Sequence, residues 1–364
     1  MHTWSENPKK DIFQHLEMLS YPKNCEKLLC GKIKSKRKIN SKKTSSIKKK
    51  QAKEIAFCIK QGIEFFKNAE NADISISPLL LYYGMLSFSK ALIIANSQNE
   101  LYLDNIKYHG LTTRPRNEKQ EKQKSKKTNW NLLNEYANIN NGVFLELAKL
   151  FDITFDKQDS IKFKDTISSV PELKSLIDKL EIFDSNSINC YSELKEENCK
   201  TSFGIYSIDS NKLENKIPKL CKKFVKSSMH GSTTFTQYIS NNNFSSSNFK
   251  YFYNYNAVVG GRYFVFPITV YNDKKKKNVL LPQILIDYIN FFILSEQVRY
   301  HQDNWNVILS GKNDAIVSII KIYVECVKRR FPNFIINYLF SESFSYGSPA
   351  YLNWKYLNWN IDYS

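Results

Sequence analysis

The sequence predicts an α+β fold that is mainly α, a helical bundle with a small antiparallel sheet inserted in the middle of the chain. Three observations predict it. Residues 75–97, SISPLLLYYGMLSFSKALIIANS, form the most apolar run of the chain. The stretches QAKEIAFCIKQGIEFFKNAEN before it and LPQILIDYINFFILSEQVRY far beyond it repeat apolar residues at helical spacing. Between them, residues 201–271 alternate aromatic and β-branched residues with polar ones, as in TTFTQYI and RYFVFPITVYN, which is the two-residue period of strands.

The elements follow in order. An N-terminal helical segment (1–31) carries KKDIFQHLEMLS and NCEKLLCGK, broken at Pro22. A basic flexible loop (32–53) leads to the first helical pair of the core (54–110), whose second member is the apolar run. That run contains Gly84, Ser87, Ser89 and Lys90, which suit a buried core helix better than a membrane span. Ser77 is expected as its N-cap with Pro78 at N1, and its small residues allow close approach by a neighbouring helix. A basic connector (111–129) follows, then a mixed, mainly helical segment (130–200) in which Ser168 and Ser169 are expected to cap a helix over VPELKSLIDKLEIF. The small antiparallel sheet is expected at 201–280, turning at Gly260-Gly261. The C-terminal core helices (281–340) begin near Pro282, and one of them, DAIVSIIKIYVECVKRRF, is expected to stop at Pro332; a tail (341–364) completes the chain.

Length and composition, 364 residues with 42% hydrophobic and 24% charged, suffice for a sizeable core. The net charge of +18 is concentrated in three runs. Residues 32–53 hold eleven Lys or Arg and no acid; residues 114–127 hold seven against Glu118 and Glu121; DKKKK at 273–277 adds four against one. The rest of the chain is close to neutral. Such runs are either solvated loops or a salt-sensitive, sequence-blind attraction for phosphate backbones. The candidate nucleic-acid contacts are Lys36, Arg37, Lys38, Lys48, Lys49, Lys50, Arg116, Lys124, Lys126 and Lys127. Seven cysteines without a CxxC pair argue against a disulfide framework or a zinc site. With no apolar core of a signal peptide in MHTWSENPKKDIFQHLEML, a cytoplasmic protein is expected, with no membrane partner, no metal and no cofactor.

The combination of SPLLLYYGMLSFSKALI, then YHGLTTRPR, then LPQILIDYINFFILSEQVRYHQDNW resembles the YaaC-like family of bacterial proteins over roughly residues 51–332. That family has no firmly established biochemical activity. Its apolar helix is similar to the YYAMxxxAKALL pattern of HEPN-type helical domains, which occur in bacterial defence and toxin systems, often as ribonucleases. The resemblance implies a HEPN-like helical core, a homodimer or partner protein, and RNA or DNA as the ligand of the basic loops.

HEPN ribonucleases place an Arg four to six residues before a His, so that cation and imidazole meet one scissile phosphate. The histidines here are His2, His15, His109, His230 and His301, and none follows an Arg at that spacing. Instead His109 precedes Arg114, and Arg299 stands two before His301. These four are the catalytic candidates: His109 as general base, Arg114 and Arg299 as phosphate clamps, should the two segments converge. The structural alternative has His109 and Arg114 bonded to backbone carbonyls around a turn at Gly110, Tyr300 and Trp305 in the core, and Arg299 capping a helix. The carboxylates and Lys of Asp165 and PELK resemble a metal-nuclease pattern but fall in a helical segment, and no dinucleotide, GxSxG or phosphate-loop motif is present. The expectation is a noncatalytic nucleic-acid- or protein-binding module of a defence or stress system, with a metal-independent RNase as the alternative.

Overall fold

The computed structural model describes residues 2–3, 7–34, 41–97, 101–113, 130–156, 158–191, 202–216, 218–222, 224–228, 235–240, 263–272, 276–312, 314–341 and 345–346. Lys36, Arg37, Lys38, Arg114, Arg116, Lys124, Lys126, Lys127 and the Gly260-Gly261 turn lie outside them. The fold is mainly helical with small antiparallel sheets.

Helices α1 (Pro8–Leu19) and α2 (Pro22–Lys34) pack against α3 (Ser41–Glu70). The basic stretch expected as loop up to residue 53 is therefore helical from Ser41 onward. Buried Ala52, Ile55, Ala56, Ile59 and Ile63 continue the apolar stripe of α3 back into the lysine run and give those residues a packed face to fold against. The apolar run is α4 (Ser77–Asn96), antiparallel to α3 and buried along most of its length. It is long and apolar enough to cross a membrane, but here it forms the centre of the bundle. Its cap is Ile76 rather than Ser77, because Asp73 accepts the Ser75 amide (2.8 Å) and closes the preceding turn one residue early. The small residues work as expected: a Cβ on Gly84 would come within 2.5 Å of the Phe66 ring, and one on Gly62 within 2.5 Å of the Phe88 ring. Each helix inserts a phenylalanine where the other has no side chain.

Two five-stranded antiparallel sheets are present among the described residues, where one small sheet was expected. The first joins β2 (His109–Thr112), β3 (Tyr136–Gly142), β4 (Ser160–Lys162), β10 (Ile268–Tyr271) and β11 (Lys276–Val279) in the order β11-β10-β4-β3-β2. The second orders β5 (Ser187–Tyr191), β6 (Ser202–Tyr206), β7 (Phe224–Ser228), β8 (Phe235–Ser240) and β9 (Tyr263–Val265) as β7-β8-β6-β5-β9. HGLT and SIK are too short to display a two-residue period, so two of the five strands of the first sheet are silent in the sequence. A minor parallel pair links β1 (His2–Thr3) to β12 (Ser345–Tyr346). Short helices α5 (Val143–Lys149), α6 (Phe163–Ile167) and α7 (Lys174–Leu180) follow the strands of the first sheet. Ser168 closes α6 instead of opening α7; both Ser168 and Ser169 hydroxyls donate to the Asp165 carbonyl. Helices α8 (Ser210–Lys216) and α9 (Pro218–Cys221) lie between β6 and β7.

The bundle is completed by α10 (Gln283–Tyr300), α11 (Gln302–Val307) and α12 (Asp314–Phe340). α12 continues through Pro332 because Phe331, Ile335, Ile336 and Leu339 bury the turns on either side, outweighing one missing backbone bond. A buried ionic network ties α10 to α12. Asp287 accepts from Arg330 Nε (3.2 Å) and Nη2 (2.5 Å) and from the Tyr323 hydroxyl (2.7 Å), while Glu172 takes Arg330 Nη1. Burial raises the Asp287 carboxyl above the usual carboxylate range, against the pull of Arg330 and Tyr323.

Candidate functional site: an imidazole and guanidinium joined by two tyrosines

The adjacent Tyr82 and Tyr83 near the start of α4 organise the site. The helix turns about 100° per residue, so the two rings leave it in different directions. Tyr82 is fully buried, its ring against Tyr288 and Phe292 of α10 and stacked on His109 at 5.5 Å; its hydroxyl forms a 2.7 Å hydrogen bond with His109 Nδ1. Tyr83 is half-buried, stacks on Phe65 of α3, and accepts a hydrogen bond from Arg299 Nη1 (3.2 Å). One tyrosine holds the imidazole and its neighbour the guanidinium.

His109 opens β2. The Tyr288 hydroxyl donates to its carbonyl (2.9 Å), and Gly110 follows with φ +86°, where a Cβ would meet the Phe144 backbone nitrogen at 2.8 Å. The turn at Gly110 was expected, but among the described residues the imidazole bonds a phenol rather than a carbonyl. Burial first, then the positive charges of Arg299 and Lys90, lower the His109 pKa below its ordinary value, so the imidazole is neutral at pH 7. Arg299, in the last turn of α10, is committed on all three nitrogens: Nε to the Ser295 carbonyl (3.4 Å), Nη1 to Tyr83, and Nη2 to Glu296 in an ion pair. Its planar group also lies 4.8 Å from the Tyr300 ring centroid and 5.7 Å from that of Tyr83. Thr113, at the end of β2, donates to the other Glu296 oxygen (3.1 Å).

The structure therefore brings His109 and Arg299 into one cluster. His301 closes α10 through its backbone N–H to the Gln297 carbonyl, and its own carbonyl opens α11 by accepting from Trp305. Trp305 is buried and Arg299 stands as a cation in the last turn of α10 with Nε on the Ser295 carbonyl, both as expected, whereas Tyr300 is 66% exposed. Tyr82, Tyr83, Glu296 and Thr113 were missed by sequence reasoning. The YY pair was visible, but its division between two polar partners depends on a strand and a helix far away in the chain.

Of the candidate nucleic-acid contacts, those described, Lys48, Lys49 and Lys50, sit on α3. Lys50 lies 3.9 Å above the Tyr102 ring, and Lys48 is half-buried with Nζ 4.0 Å from Cys30 Sγ. Lys49 is exposed and begins a line that helical spacing extends through Lys53 and Lys60, with Phe57, 58% exposed, beside it. Lys49, Lys53 and Lys60 have no ion-pair partner among the described residues. No three His, Cys, Asp or Glu side chains converge as a metal ion requires, again among the described residues.

The sequence profile described as YaaC-like protein matches residues 18–339, from the end of α1 to the end of α12. The chain belongs to the YaaC-like family. The match spans every element that builds the cluster and the lysine line. No curated protein and no solved structure matches the chain.

Proposed function

We propose that this YaaC-like chain is a noncatalytic nucleic-acid-binding module with a HEPN-like helical core, of the kind that serves bacterial anti-phage defence or stress response. The observation that carries this reading is the contrast between two sets of cations. Arg299, the one described arginine beside the histidine, has its charge compensated by Glu296 and is held by Tyr83 and Ser295, so three of its five N–H donors are already engaged within the protein. Lys49, Lys53 and Lys60, with no ion-pair partner among the described residues, stand on one helix, spread over about 16 Å of its length, with an exposed aromatic ring among them. Fixed cations next to an exposed ring suit a phosphate backbone.

The proximity of His109 to Arg299 favours a second reading, a metal-independent RNase in which a neutral His109 acts as base with Arg114 and Arg299 as clamps. Binding of purified protein to labelled structured RNA and duplex DNA across a salt series, with cleavage followed in the same tubes, separates the two. The module reading expects binding without cleavage, weakened when Lys49, Lys53 and Lys60 are changed to Gln. Cleavage that disappears in folded His109→Ala establishes the RNase instead. Absence of both at moderate salt overturns both readings and directs the search to a protein partner.

A further inference from the structure

The first sheet turns Ala137, Ile139, Ile161, Ile268 and Val270 into the core. Strand alternation places Tyr136, Lys162, Tyr271 and Lys276 on the opposite face. The register pairs Tyr136 with Lys162, and Tyr271 with both Lys276 and Ser160. Tyr136 on β3 and Tyr271 on β10 are separated by β4, yet their ring centroids are 5.6 Å apart in an edge-to-face arrangement. They meet diagonally across β4, Tyr136 beside Lys162 and Tyr271 beside the small Ser160, which is 4% exposed and donates to the Tyr271 carbonyl. Lys276 Nζ lies 5.5 Å from the Tyr271 centroid and Lys162 Nζ lies 6.0 Å from the Tyr136 centroid. The acid at this place is Asp165, whose Oδ2 accepts the Tyr271 hydroxyl (3.1 Å) and whose carboxylate also feels Lys162, Lys164 and Lys216.

Resting on the function proposed above, we propose that this tyrosine–lysine face is a second contact that takes single-stranded nucleic acid, unpaired bases meeting the Tyr136 and Tyr271 rings and flanking phosphates meeting Lys162 and Lys276. The pattern of rings with cations at their margins matches a polymer that alternates π-faces with phosphates. An acidic peptide has no use for the rings, and a duplex keeps its bases stacked away from them. On this account α3 supplies attraction for any phosphate backbone, and the sheet selects strands whose bases are free.

The test is anisotropy titration of the full chain with a fluorescein-labelled uridine-rich RNA and with a duplex of equal length. Tighter binding of the single strand is expected. Lys162→Ala with Lys276→Ala, both surface changes, should weaken the single strand by about tenfold while leaving the duplex unchanged. Tyr271→Leu should weaken it by about 5- to 100-fold, the range for removing one stacked base, and Tyr271→Phe should retain binding. Asp165→Asn, which removes the nearby negative charge, should tighten it. If these variants move single strand and duplex equally, or neither, the sheet contact is overturned and the module reading stands. Displacement of the RNA by poly-glutamate at matched charge also overturns it, and binding of neither nucleic acid overturns the module reading along with it.

Discussion

His109 shows how one side chain records its surroundings. Its folded pKa lies below the ordinary value, so the folded protein resists a proton that the unfolded chain accepts near pH 6.5. The sign follows directly: the stability associated with neutral His109 is fully present above that value and is lost as pH falls toward the lower folded pKa. Urea titrations from pH 7.5 to pH 5 should show wild-type stability falling with acidity, and His109→Gln should flatten that decline; an unchanged slope would show that the imidazole protonates without cost. Glu296 is the second informative residue. Glu296→Gln removes the charge that neutralises Arg299, and inorganic phosphate should then protect the protein against thermal unfolding more than it protects wild type. His109 and Arg299 were both legible as candidates, because His and Arg next to helix ends are few. Their partners were not, since a tyrosine in an apolar run looks like ordinary core until the residue opposite is known.

At the scale of elements, the long helices were readable and the short strands were not. The eighteen residues of α10 are too many and too apolar for anything but a helix buried over most of its surface, and length with apolar content, rather than a one-sided stripe, identifies it. HGLT offers four residues to a pattern that needs more, and its place in the sheet is decided by Gly110 and by pairing with β3. Proline was the misleading signal: Pro332 reads as a terminator, but the apolar turns beyond it keep α12 intact. Two predictions belong here. Gly84→Ala forces the Phe66 ring aside and should destabilise by about 1–3 kcal/mol in chemical denaturation. Asp287→Ala leaves Arg330 buried with only Glu172 as its partner and should cost about 3–5 kcal/mol, measurable the same way; a cost below about 1 kcal/mol would mean that water enters to replace the carboxylate.

For the molecule as a whole, charge is divided unevenly between a near-neutral body and basic segments, and the structure makes part of one segment a helix. Lysines fixed on a helix act together on a linear polyanion. Changing Lys49, Lys53 and Lys60 to Gln should lower the slope of log affinity against log salt by about 2 to 3, roughly one for each phosphate left without its lysine. A slope that does not change would place the binding surface elsewhere in the chain. Charge clustering was legible in the sequence; the rigidity was not, because the apolar stripe that enforces it begins inside the lysine run.

The first sheet also sets a schedule for synthesis. Ile161 of β4 pairs with Val270 of β10, and the entire second sheet lies between them in the chain. At about 5–20 residues per second, a ribosome leaves the edge of β4 without its neighbour for on the order of 5–20 s. During that interval a strand edge with open amides and carbonyls is available to any nascent chain nearby. Slow codons placed between the two sheets would lengthen this period, and aggregation during expression would rise with it.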